Sequence, residues 1–211
     1  MNKENNFNEE INNLESTIFE GDFTILKGNV PILFSAPHAV EHIREDGTLK
    51  YGETYSKAIS LYLNKYFNTY SIFKNRDNGI DSNRDNYDEY NVEMRRVIKE
   101  NNIKIVIDLH GADRNRDFDV EFGTMNNLTA TFSTIKELEE AFTENGIPNI
   151  EHNTPFKGGA ITKGVFSLED VDVVQLEING RLRDHNHLEN LELLINALRK
   201  FIEQYKEYMN R

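Results

Sequence analysis

Cysteine is absent from this chain, which excludes disulfides and thiolate-bound zinc together. A metal ion held here would have to rest on imidazole and carboxylate. Long apolar runs are missing too. None approaches the ~18 residues of a membrane span, and the polar start MNKENNFNEE has no apolar core of signal-peptide length. Basic residues are in deficit, 24 against 36 acids, for a formal charge of −12. That balance speaks against nucleic acid and membrane surfaces as partners, since both require a basic patch. It leaves room for a small anionic ligand held by a local arginine cluster. There are no repeats and no linker. The expectation is one soluble cytoplasmic domain over residues 1–211, with residues 1–10 frayed.

What is present is organised around Ile103 to Ala112, IKIVIDLHGA. Five of its first seven residues are β-branched or Leu, which suits a strand buried on both faces, and the run stops on Asp108-Leu109-His110-Gly111. Open α/β sheets place their chemistry at such carboxyl ends. Two further apolar runs repeat the pattern. PILFSAPH ends on His38, and VDVVQLEIN contains Glu177. Strands are expected at 23–27, 30–36, 70–73, 103–109, 120–124, 150–153 and 172–178. Helices are expected at 53–67, 88–101, 134–145 and 187–208, with polar loops at 41–52 and 74–88. Strands alternating with helices predict an α/β fold, a three-layer αβα sandwich with a mixed central sheet.

A hydrolytic zinc site needs three protein ligands and one open position. His38 and His110 are the nitrogen candidates, because both stand at strand ends. Two carboxylates compete for the third place. Glu41 makes an H-x-x-E with His38, and Glu53 opens the helix after the 41–52 loop. Asp108 suits a partner that holds a ligand histidine in one tautomer. Glu177 sits in a run too apolar for a surface glutamate, so it faces a metal, a substrate or an arginine such as Arg181 or Arg183. A general base requires that kind of setting. Arg84 can grip a substrate carboxylate, polarise a scissile carbonyl, or form a loop salt bridge. Arg181 and the paired Gly158-Gly159, which permits close backbone approach, complete the substrate-binding candidates.

Six segments together carry a resemblance: SAPHAV (35–40), NRD (83–85), IDLHG (107–111), FGTMN (122–126), NTPFKGGAIT (153–162) and VVQLEINGRLRD (173–184). In this order they resemble the N-formylglutamate amidohydrolase family and, more distantly, the zinc metallocarboxypeptidases and aspartoacylases. The resemblance implies a phosphorylase/hydrolase-like, zinc carboxypeptidase-like fold and cleavage of an amide next to a carboxylate. It implies one Zn²⁺ or another divalent ion on His38 and His110, with Glu177 as general base and Arg84 at the family's Asn-Arg position. The chain departs from the family at Ala39-Val40, where Ser-Gly is usual, and at Phe156, where Tyr is usual. The family's acid falls at Glu53, whereas Glu41 fits the carboxypeptidase spacing.

The expected activity is an amidohydrolase cleaving a small anionic N-acyl amino acid such as N-formylglutamate. Two rivals share the site: a zinc peptidase acting on an acidic or cell-wall peptide, and a non-catalytic protein that binds metal or ligand on the same scaffold.

Overall fold

A computed structural model describes residues 3–43 and 46–209. Its centre is a seven-stranded mixed sheet. In chain order the strands are β1 (Phe23–Leu26), β2 (Val30–Ala36), β5 (Thr69–Lys74), β6 (Ile105–Ala112), β7 (Val120–Gly123), β8 (Ile150–His152) and β9 (Asp172–Asn179). In space they run β1-β5-β2-β6-β9-β7-β8. The middle four, β5, β2, β6 and β9, are parallel, so their carboxyl ends share one edge of the molecule. β1 pairs antiparallel with β5, and β7 antiparallel with β9. A small ribbon, β3 (His42–Ile43) with β4 (Leu49–Lys50), stands apart.

Strand alternation decides what each face carries. Phe34, Ile107, Leu109, Val174, Leu176 and Ile178 project to one face, into a core with α1 (Lys3–Ser16), α2 (Ser56–Phe67), α4 (Phe132–Glu144) and α6 (Leu188–Met209). The intervening residues Leu33, Val106 and Val173 meet α3 (Glu89–Glu100) and α5 (Ala160–Phe166) on the other. Helices therefore cover both faces, the three-layer αβα arrangement expected from the sequence. On the α3–α5 side the apolar character stops halfway along each strand. Toward the carboxyl ends that face carries Ser35, Asp108, His110, Gln175, Glu177 and Glu121, all buried. Burying so many polar groups on one face is costly unless they are bonded or put to use.

Three expectations need correction. The stretch expected to fray, 1–10, is helical from residue 3, because Phe7 and Ile11 lie one helical turn apart and bury against the core; residues 1 and 2 lie outside the described residues. The 41–52 segment, expected to be a loop, carries the β3–β4 ribbon, with Arg44 and Glu45 outside the described residues. The helix expected from Glu53 begins at Ser56, because Tyr55 takes a left-handed φ of 64° and ends the helix there. No described helix is long and apolar enough to cross a membrane.

Candidate active site

His38 lies just past the end of β2, in a turn. The chain leaves through the ribbon and returns at Glu53, whose backbone N–H donates to the His38 carbonyl at 2.8 Å. Gly52 makes that return possible: a Cβ there would meet backbone atoms of Ala39 to Glu41 at 3.1–3.2 Å. His110 arrives from the neighbouring strand β6. As a result His38 Nδ1 lies 3.1 Å from Glu53 Oε1 and 3.2 Å from His110 Nδ1, and His110 Nδ1 lies 3.6 Å from Glu53 Oε2. All three residues are buried.

The far nitrogens of both rings are engaged. His38 Nε2 bonds Asp81 Oδ1 at 2.8 Å, and His110 Nε2 bonds Asp108 Oδ2 at 2.9 Å. A carboxylate accepts a proton rather than giving one, so each Nε2 carries a hydrogen and each Nδ1 is the atom turned inward, where it can hold a proton or offer its lone pair to a metal ion. Two such nitrogens 3.2 Å apart, beside a carboxylate, call for positive charge between them, a proton on His110 or a metal ion in its place. Charge tells the same story. Burial raises the Glu53 carboxyl, but His38 and His110 outweigh it and hold it well below the usual range. Burial also opposes a charged His110, yet Asp108 and Glu53 hold it well above. Asp81 is likewise depressed, since contact with His38 overcomes its burial.

Lys50, on β4, answers part of this demand. Its Nζ reaches Glu53 Oε1 at 2.6 Å and His38 Nδ1 at 3.0 Å. Glu177 lies on β9 directly opposite His110 across the β6–β9 register. Burial raises its carboxyl, with His110 opposing. Gln175 holds it by donating from Nε2 to Glu177 Oε1 at 2.8 Å, while its side-chain Oε1 accepts the Gly159 N–H, also at 2.8 Å. These groups surround a cavity of about 510 Å³, whose wall also carries Arg84 and Arg116. A larger hollow of about 730 Å³, at the amino ends of β6 and β9, has mostly apolar walls, and His38, Glu53 and His110 do not lie on it.

Several sequence candidates fall elsewhere. Glu41 is exposed and outside the His38–Glu53–His110 group, because the turn after His38 directs the returning chain, not position 41, at the ring. Arg181 does not line the cavity. Its guanidinium is spent on the carbonyls of Arg114, Arg116 and Phe118 at 3.0–3.2 Å. Gly158 and Gly159 do not line it either. Gly158, at φ +111°, brings Gly159 onto the Asn83 side chain and Gln175. Neither Arg181 nor Arg183 forms an ion pair with Glu177; Arg183 donates to backbone carbonyls of Thr54, Ala112 and Ile178. Arg84 lines the cavity and lies 3.6 Å from Asp81 Oδ2.

Sequence reasoning passed over Asp81, Lys50, Gln175 and Arg116. His42 is buried and stacks on His38 with ring centroids 4.7 Å apart, and burial first, then His38, lowers its pKa. Asp81 had a usable signal in its position within the polar DSNRD stretch beside Arg84. Lys50 had none.

No protein-family model matches this sequence, and no curated protein matches it. Solved structures do match. The N-formylglutamate amidohydrolase from Ralstonia eutropha JMP134 aligns over 89% of this chain and 98% of its own, at TM-score 0.64 and 14% identity. A bacteriophage poly-gamma-glutamate hydrolase aligns over 92% and 93%, at 0.56 and 15%. A metallo-carboxypeptidase from Burkholderia cenocepacia aligns over 98% of this chain and 69% of its own, at 0.52 and 13%. At such identities the likeness is one of fold: the chain has the fold of amide hydrolases and carboxypeptidases.

Proposed function

We propose that this chain is a metal-dependent hydrolase of amide bonds, a single catalytic domain acting on a small N-acyl amino acid such as N-formylglutamate. The observation that carries the reading is the convergence of His38 Nδ1, His110 Nδ1 and the Glu53 carboxylate beside a cavity that Glu177 also lines. The donor set fits Zn²⁺. Separations of 3.1 Å to Glu53 Oε1, 3.6 Å to Glu53 Oε2 and 3.2 Å between the ring nitrogens lie within about 0.2 Å of the edges, about 3.3–3.6 Å, of a tetrahedron with bonds of ~2.0–2.2 Å. Glu53 Oε2 is buried with no hydrogen-bond partner, as an atom reserved for an ion would be.

When bound, such an ion supplies Lewis-acid polarisation of a carbonyl and makes water more acidic. The remaining work belongs to the chain. Asp81 and Asp108 keep both imidazoles in the tautomer that offers Nδ1. Glu177, raised by burial and steadied by Gln175, takes the proton of the attacking water and passes it to the leaving nitrogen. Arg84, on the wall, holds a carboxylate or the developing oxyanion.

The test is elemental analysis of the purified protein, followed by turnover of N-acyl amino acids and dipeptides. One divalent ion per chain and turnover within the panel are expected, with His110→Ala losing both. A His110→Ala protein as metal-loaded as the parent would remove His110 from the ligand set. Cleavage of dipeptides in preference to acyl compounds would make the protein a peptidase.

A further inference from the structure

The cavity holds a second arginine that the mechanism above leaves unused. Arg116 belongs to the loop between β6 and β7, and its backbone is held from beneath. Its carbonyl accepts from Arg181 Nη1 and from the buried Asn179 Nδ2, each at 3.1 Å. Its guanidinium stands over the Phe156 ring, 5.3 Å from the centroid. Phe156 is itself anchored: its N–H and that of Thr154 donate to Glu121 Oε1 at 2.9 and 2.6 Å, and Phe118 packs edge-on against the ring. A loop pinned from below and an aromatic seat fix where this charge sits.

Other arginines spend their N–H groups, Arg95 and Arg183 on backbone carbonyls. With 36 acids against 24 bases, Arg76, Arg96, Arg114 and Arg181 each have a carboxylate partner. Among the described residues no carboxylate pairs with Arg116, and its guanidinium donates no hydrogen bond. An arginine held over an aromatic ring with its N–H groups unspent can offer them to a planar, two-pronged acceptor. Phe156 and Gln175 line the same cavity, and Glu121, which anchors Phe156, lies directly opposite Glu177 across β7 and β9. Arg116 therefore stands on the wall on the Glu177 side of the reacting centre.

From this geometry we infer that Arg116 is a specificity-determining residue, binding the side-chain carboxylate of an acidic substrate through guanidinium N–H groups that no described residue engages. The inference rests on the amide-hydrolase reading. It assigns the recognition of acidic over neutral substrates to Arg116, whereas Arg181 holds the loop that carries it.

The test compares N-formyl-L-glutamate with N-formyl-L-glutamine, which match in shape and differ in charge. The parent should favour the glutamate compound in kcat/KM. Arg116→Gln should shrink that ratio by about 10- to 100-fold, the worth of a charge-assisted contact. Arg116→Lys, keeping charge but not the fork, should fall between. A parent with no such preference, or an Arg116→Gln protein that retains it, overturns the assignment. Glutarate binding by calorimetry, which needs no turnover, separates the two claims. If the parent cleaves neither compound yet binds glutarate in an Arg116-dependent way, the hydrolase reading fails and the anion site stands. If glutarate binding is the same with and without Arg116, the anion site fails.

Discussion

Replacing Lys50 with Met should raise the affinity of this protein for Zn²⁺. The Lys50 ammonium donates to Glu53 Oε1 at 2.6 Å and sits 3.0 Å from His38 Nδ1. These are two of the atoms proposed to hold an ion, and their lone pairs cannot serve both cations at once. Loading the site therefore costs the native protein its Lys50 contacts. Hydrogen bonds to charged groups contribute about 1.5–3 kcal/mol each. With the Lys50 side chain 24% exposed and Glu53 buried, one such contact is a fair measure of the net loss. At ~1.36 kcal/mol per tenfold, that corresponds to a gain in affinity of about 10- to 100-fold. Repulsion between the displaced ammonium and a dication acts in the same direction, and Met keeps most of the alkyl stem's packing. Competition against a zinc-responsive chelating dye measures the constant without reference to turnover. If Lys50→Met bound zinc no tighter than the parent, or more weakly, Lys50 would be a support of the site rather than a competitor for it.

Glu177→Gln should keep the ion and lose about 10²- to 10⁴-fold in kcat, the usual contribution of a general base; a variant holding its metal with more than roughly a tenth of parent turnover would leave Glu177 a structural role. The pH profile follows from burial raising this carboxyl above its ordinary value of 4.5. The base works only when ionised, so kcat/KM should fall as pH drops through a midpoint above that value, and Glu177→Gln should erase this acid limb. Asp108→Asn keeps an acceptor for His110 Nε2 but removes the charge, so zinc affinity should weaken about 10- to 100-fold; an unchanged affinity by dye competition would show that Asp108 does not tune its histidine.

The strands and most helices were legible because each is written in a short repeating pattern. β6 and β9 read as apolar runs, and the central residues of α2, α3, α4 and α6 follow helical spacing. His38, His110 and Glu177 stood out for the same reason, as polar residues ending or interrupting apolar strands. α1 was hidden by averaging: Phe7 and Ile11 form an apolar stripe within an otherwise polar stretch. The seven-residue α5 is too short to repeat a pattern.

By itself, then, the sequence determined the seven strands of the main sheet and which of their ends carry buried polar residues, since both follow from local periodicity and burial. Only the tertiary structure set Glu53, and not Glu41, beside His38 and His110. Three residues from His38, Glu41 is carried out to the surface, while Glu53, fifteen away, is tied back by a backbone hydrogen bond and a close approach at Gly52. The structure alone also brought Asp81 to His38 across 43 positions, set Lys50 on two proposed ligand atoms, and exchanged Arg181 for Arg116 at the cavity wall. Each of these depends on where a loop closes, and loop closure is set by the packing of the whole chain rather than by the residues of the loop.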